Sequence, residues 1–180
     1  EFISTVAHEL RTPMTSIKGY TDLILMGTVG ATSDMQKQFL TVIKNNADRL
    51  SVLVADILDL SRIETGRIQL NRHYVAVGDL VQDVVSSLAN QIAAKEQTLS
   101  VAVADDLPDV RLDRDRIIQV LTNLVSNANK YTPVGGAIGI SARIDGAMLV
   151  IGVRDTGYGI SDADLEKLFD TRFFRANNPN

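Results

Sequence analysis

His8 stands two residues from Val6 and two from Leu10. On a helix that offset is roughly 200°, so the imidazole points off the apolar stripe toward solvent. A neutral imidazole is a good nucleophile, and a reference pKa near ~6.5 keeps it mostly neutral at pH 7. Glu9 is an adjacent carboxylate able to take the other ring proton. Thr12 lies one turn further along the same face, and its hydroxyl is suited to orienting water against a phosphorylated ring. An exposed histidine on an ordinary helix has the same spacing, so spacing alone leaves both readings open.

A second row lies far along the chain. Asn123, Asn127, Lys130 and Tyr131 fall at offsets of four, seven and eight, which is one stripe of a helix. The row offers two amide oxygens, an ammonium and an aromatic ring. Amide oxygens are suitable ligands for Mg²⁺, which keeps most of its water and bridges phosphates. Lysine supplies a point charge to phosphate, and the ring can lie against a nucleotide. Downstream, an apolar run ends in Asp155-Thr156-Gly157-Tyr158-Gly159. A buried Asp155 carboxylate would accept a hydrogen bond from the exocyclic amine of adenine. Gly157 and Gly159 would let backbone approach a ligand closely. A solvated helix face and an ordinary turn are the plain alternatives.

These residues need elements to hold them. Ile3, Val6, Leu10, Met14, Ile17, Thr21 and Ile24 recur at helical spacing, with Pro13 inside the run. That proline removes a backbone hydrogen bond and bends the axis. Phe39, Ile43, Ala47, Leu50, Val54, Ile57 and Leu60 form a second helix, starting at Ser33 or Asp34 and ending near Gly66. Two long helices and a short loop make a hairpin whose apolar face stays wet. Pairing with a second copy into a four-helix bundle is the remedy, so residues 1–66 predict a homodimer.

Residues 67–180 mix strands and helices. Strands are expected at Ile68–Val77, Leu99–Val103 and Val110–Leu112, with a hairpin of Ala137–Ile144 and Met148–Arg154. Helices are expected from Asp79, as cap, to about Lys95, over Asp113–Tyr131 and over Ser161–Phe169. In the Asp113–Tyr131 helix, Ile117, Val120, Leu121, Leu124 and Ala128 form the predicted buried stripe. The fold class is an α-helical hairpin followed by an α/β sandwich.

Composition narrows the function. The 180 residues carry 18 Lys+Arg against 22 Asp+Glu, a formal charge of -4, so no electrostatic footprint favours nucleic acid. No apolar run is long enough to span a membrane, and no membrane contact is expected in this stretch. With no cysteine, disulfides and thiolate metal sites are excluded. Both ends read as cuts in a longer protein, any sensor or anchor lying upstream.

Taken together, the motifs carry a resemblance. Phe2-Ile3-Ser4 followed by His8-Glu9-Leu10-Arg11-Thr12-Pro13 and Ile17-Lys18-Gly19-Tyr20 resembles the phosphoacceptor box of two-component sensor histidine kinases. Residues 56–64 look like the end of that family's second dimerisation helix. Asn123 through Pro133 is similar to its N box, Asp155–Gly159 to its G1 box, and Leu168–Arg175 to the F box that begins the ATP lid. The nucleotide boxes belong to the gyrase-like ATP-binding fold.

The resemblance implies that His8 accepts the γ-phosphoryl group of ATP, that Glu9 assists, and that Thr12 supports dephosphorylation. It implies that Asn127 ligates Mg²⁺, Asn123 supports the phosphates, Lys130 and Tyr131 contact phosphate and nucleoside, and Asp155 reads adenine. Arg175 would lie near the phosphates, although the F box carries one extra residue around Thr171-Arg172. The implied partner is a response-regulator receiver domain, which takes the phosphate onto an aspartate, and the implied location is cytoplasmic. The second glycine-rich lid motif does not occur before Asn180, so the ATP-binding domain is expected to be truncated. A dimeric scaffold without kinase activity, or an enzyme that mainly dephosphorylates its regulator, would carry the same motifs.

Overall fold

The computed structural model describes residues 2–104 and 106–168, with all side chains in those ranges except residues 2–5 and 8. The chain divides into two compact units, Glu1–Gln69 and Leu70–Asn180.

The first unit is a pair of helices, α1 (Phe2–Leu25) and α2 (Asp34–Glu64). The α1 helix runs through Pro13 without a break. A capping box fixes the start of α2: the Ser33 hydroxyl accepts the Gln36 amide, and the Gln36 side chain accepts the Ser33 amide at 2.8 Å. Ion pairs join the helices in reverse order, Lys18 with Asp48 and Asp22 with Lys44, which is an antiparallel register. Ala7, Val54 and Leu58 cluster between them, and Met14, Thr21 and Ala47 are also buried.

The predicted apolar stripe therefore splits. On α2, Ala47, Val54 and Leu58 face α1. Phe39, Ile43, Leu50, Leu53 and Ile57 lie within an adjacent arc of about 80° and are exposed, Phe39 at 62% and Leu50 at 50%. On α1, Val6, Leu10 and Ile17 form a matching exposed stripe beside buried Ala7 and Met14.

The second unit comprises β1 (His73–Val75), α3 (Val77–Ala94), β2 (Thr98–Val103), β3 (Val110–Leu112), α4 (Arg114–Tyr131), β4 (Ala137–Asp145), β5 (Met148–Asp155) and α5 (Asp162–Leu165). A mixed sheet has the order β2-β4-β5, with β2 parallel to β4 and β4 antiparallel to β5; β1 and β3 form a separate antiparallel pair. Inward residues of β4 (Ile138, Ile140 and Ala142) meet Leu80, Val81, Val84, Leu88 and Ile92 of α3 and Leu121, Val125 and Ala128 of α4. The α3 set recurs at three and four residues, which puts it on one face.

Three expectations need correction here. The first strand is three residues long rather than Ile68–Val77, because its partner β3 offers only three residues to pair. Helix α3 starts at Val77 behind Ala76, which makes no side-chain cap; Asp79 sits instead in the first turn, where its charge faces the helix's positive end. In α4, Val120 and Leu124 are exposed at 53% and 46%, while Val125 and Asn129 are buried. The buried arc is rotated by about one residue, because α4 is covered by α3 and the sheet from that side. The short α5 is capped by Ser161, whose hydroxyl accepts the Asp164 amide; Phe169, its expected last residue, lies outside the described range.

Candidate functional site

The start of α4 is fixed by its cap. Asp113 accepts the Arg116 amide at 3.2 Å and the Asn71 amide at 2.8 Å. These two backbone donors, the Arg116 amide first, hold its carboxyl below the ordinary range.

The other end of α4 carries the candidate residues. Asn123, Asn127, Lys130 and Tyr131 are all exposed. Among the described residues, the Asn123 and Asn127 side chains have no hydrogen-bond partner, so both amides are free for a ligand. The Lys130 ammonium lies 4.7 Å from the Tyr131 ring centroid and donates to the phenol oxygen at 3.1 Å. Such a cation–ring contact is worth about 0.5–1 kcal/mol at an exposed site.

The Asp155 loop joins the same helix end. The Tyr158 amide donates to the Tyr131 carbonyl at 3.3 Å. A Cβ at Gly157 would stand 2.6 Å from that carbonyl and 2.7 Å from Asp155 Oδ1, so only glycine fits there. Asp155 Oδ1 accepts the Gly157 amide at 2.8 Å, closing a tight turn. The carboxylate is exposed, not buried as expected, because Asp155 is the last residue of β5 and stands at the rim of the sheet. The close approach that Gly157 allows is to α4 rather than to a ligand. Gly159, with φ +71, has open space around it.

Sequence reasoning missed the polar cluster beneath this end. The last carbonyls of a helix lack partners inside it. Here Lys95 Nζ donates to the carbonyls of Asn129 (2.7 Å), Lys130 (3.0 Å) and Thr132 (3.4 Å). Gln97 Nε2 donates to Asn129 (3.1 Å), Thr132 (2.7 Å) and Pro133 (3.3 Å). The buried Asn129 amide donates back to Gln97 Oε1 at 2.7 Å. The available signal was Asn129 itself, a polar residue four positions after the buried Val125 and eight after Leu121.

Glu9 and Thr12 lie exposed on α1, in the first unit. His8 belongs to the same helix; its side chain, and hence the expectation that it faces solvent, lies outside the described set, as does Arg175. No group of three or more His, Cys, Asp or Glu side chains gathers to hold a metal among the described residues. A magnesium ion would here depend on one amide oxygen and on phosphates, a donor set that this ion accepts. No helix among the described residues is long and apolar enough to cross a membrane.

Comparison with known proteins sets this geometry in context. Residues 1–66 match the family described as the His Kinase A (phospho-acceptor) domain. Residues 112–180 match the histidine kinase-, DNA gyrase B- and HSP90-like ATPases. The chain is 36% identical over 183 residues to sensor histidine kinase WalK of Bacillus subtilis, covering 98% of this chain and 29% of that protein. It superposes on full-length ShkA in complex with AMPPNP with a TM-score of 0.75 and 29% identity, over 91% of this chain and 35% of the other. Histidine kinase ThkA in complex with the response regulator protein TrrA gives a TM-score of 0.63 and 26% identity, over 98% and 51%. The chain thus spans under a third of the length of WalK.

Proposed function

Since the chain belongs to the two-component sensor histidine kinases, we propose that it moves the γ-phosphoryl group of ATP onto His8 and then onto an aspartate of a response regulator. Residues 1–66 serve as the dimerisation and phosphoacceptor unit, and 67–180 as the ATP-binding unit. One observation carries the reading. A single helix end presents an amide, an ammonium and an aromatic ring, and the Asp155 loop is hydrogen-bonded to that end through Tyr131. ATP as the nucleotide is supported by the ATPase family match and by the AMPPNP complex of ShkA. The regulator is supported by the ThkA–TrrA complex.

In this reading Asp155 Oδ2 takes the adenine amine, Oδ1 being held by the Gly157 amide. Tyr131 lies against the nucleoside, while Asn123 and Lys130 hold phosphate oxygens. Asn127 would hold Mg²⁺ through its amide oxygen, and the ion, when bound, supplies charge neutralisation across the phosphates. A ring nitrogen of His8 attacks the γ-phosphorus. A P–N bond forms, the bond to the β–γ bridging oxygen breaks, and ADP leaves. Glu9 takes the proton of the other ring nitrogen. The P–N bond is labile enough to pass phosphate to a carboxylate oxygen of the regulator, and Thr12 is placed to orient the water that later removes it. Arg175 is assigned to the phosphates by motif alone. The exposed stripes of α1 and α2 pair with those of a second copy.

Labelled ATP tests the proposal. The protein should acquire acid-labile label that chases onto a receiver domain. His8→Gln should lose the label, by at least about 1000-fold, while still binding a fluorescent ATP analogue. Label that persists on the variant would move the acceptor elsewhere, and wild-type protein that binds nucleotide without labelling would make the chain a scaffold.

A further inference from the structure

Residues 95–97 sit where α3 ends, and the way it ends aims two side chains at α4. The amides of Glu96 and Gln97 bond back to the carbonyls of Ala93 and Ile92 at 2.9 and 3.2 Å, which is a Schellman turn. Its left-handed position holds Glu96, at φ +53, where glycine is usual. The reversal sends the flanking Lys95 and Gln97 side chains together under the last turn of α4. The carbonyl accounting there is complete: Ala128 accepts the Thr132 amide, Asn129 accepts Lys95 and Gln97, Lys130 accepts Lys95, and Tyr131 accepts Tyr158. The ammonium is the sole hydrogen-bond donor to the Lys130 carbonyl among the described residues, and a cation at a helix C-terminus is also favoured by the helix dipole.

We propose that Lys95 is a positioning residue for phosphoryl transfer: it holds the turn that bears Asn127, Lys130 and Tyr131 in the geometry that receives the metal-bound phosphates. This rests on the kinase reading above. Lys95 does its work through backbone carbonyls, without touching substrate. Its removal therefore leaves the Asp155 loop anchored by Tyr158 while the phosphate side of the site loosens. What is required of position 95 is a cation with several donors, not an ammonium as such, so arginine should substitute for it.

The test uses the whole protein, with Lys95→Met and Lys95→Arg compared in autophosphorylation and in titration with a fluorescent ATP analogue. Lys95→Met should raise the KM for ATP about tenfold and raise the Mg²⁺ concentration needed for half-maximal rate, with kcat at saturation within about twofold. Lys95→Arg should restore both to within about twofold. Circular dichroism and thermal melting separate misfolding from mispositioning; if Lys95→Met unfolds, Lys95→Arg and Lys95→Gln carry the same comparison. A wild-type KM in Lys95→Met overturns the proposal, and so does a loss confined to kcat or a Lys95→Arg as impaired as Lys95→Met. Wild-type protein that never labels but binds nucleotide overturns the kinase reading and with it the role in phosphoryl transfer, while the affinity titration of Lys95→Met against Lys95→Arg still decides whether Lys95 positions the nucleotide site. Wild-type protein that binds no nucleotide removes both.

Discussion

The two units solve the problem of burying apolar surface differently. The second packs one continuous core, in which Leu80, Val81, Val125 and Ile138 are almost wholly shielded from water. Among the described residues, the first gathers Ala7, Val54 and Leu58 into a small cluster and leaves Phe39, Leu50, Leu53 and Ile57 exposed along one stripe. Side chains that lie in register from Phe39 to Ile57, beside a stripe already used, suit the proposed pairing with a second helix hairpin. The second unit can be stable as a monomer, whereas a hairpin that pairs as proposed above depends on its partner, so its stability should rise with concentration.

That contrast can be broken most directly at Leu50. Leu50→Asp would force a carboxylate into the pairing stripe at a cost of roughly 4 kcal/mol or more. The dimer dissociation constant should rise at least about 1000-fold, seen by analytical ultracentrifugation, while binding of an ATP analogue is retained. A variant that remains dimeric would mean that the stripe is not the interface. A smaller effect sharpens the other side of the comparison. Glu96→Gly relieves the left-handed strain in the second unit and should stabilise it by about 0.5–1 kcal/mol in urea denaturation, independent of protein concentration.

Smallest of all are two pH effects of opposite sign. Asp113 titrates below 3.8 in the folded second unit. Its contribution to stability is therefore present above 3.8 and is lost as the pH falls through the folded value. Asp56 of the first unit is shifted upward, by burial first and then by Asp59. Its carboxylate therefore weakens the folded hairpin at neutral pH, and acidification through the raised value relieves it. Denaturation of Asp113→Asn and Asp56→Asn from about pH 6 to about pH 3 should flatten these opposed slopes, each in its own unit. A variant whose unit keeps the wild-type slope would refute the assignment for that residue.

Local signals made much of this legible. Ser33, offered with Asp34, and Ser161 were readable as caps because a cap depends on the next three residues, whereas Asp113, read as the first residue of its helix, is the cap of α4. The box around His8 and the row from Asn123 to Tyr131 lie on single helices, so spacing alone groups each. What spacing could not supply was the neighbour. Val120 and Leu124 share the helical period with Leu121 and Val125, and only the packing of α3 and the sheet decides which pair is covered. Asp155 reads as the end of a buried strand, yet stands exposed at the rim of the sheet. Lys95 and Gln97 act on carbonyls 32–37 residues away, and nothing in a run of Lys-Glu-Gln announces so distant a partner.

The parallel pairing of β2 with β4 has a kinetic consequence. Thr98 pairs with Ala137 and Val103 with Ala142, so β2 must wait for β3, α4 and the following loop before it finds a neighbour. The hairpin needs no such delay, since every contact described in it joins two helices adjacent in sequence. Low contact order favours fast folding and long-range parallel pairing slows it. On a ribosome the N-terminal helices would thus be complete, and able to meet a neighbouring nascent chain, while the nucleotide unit is still an unfinished sheet.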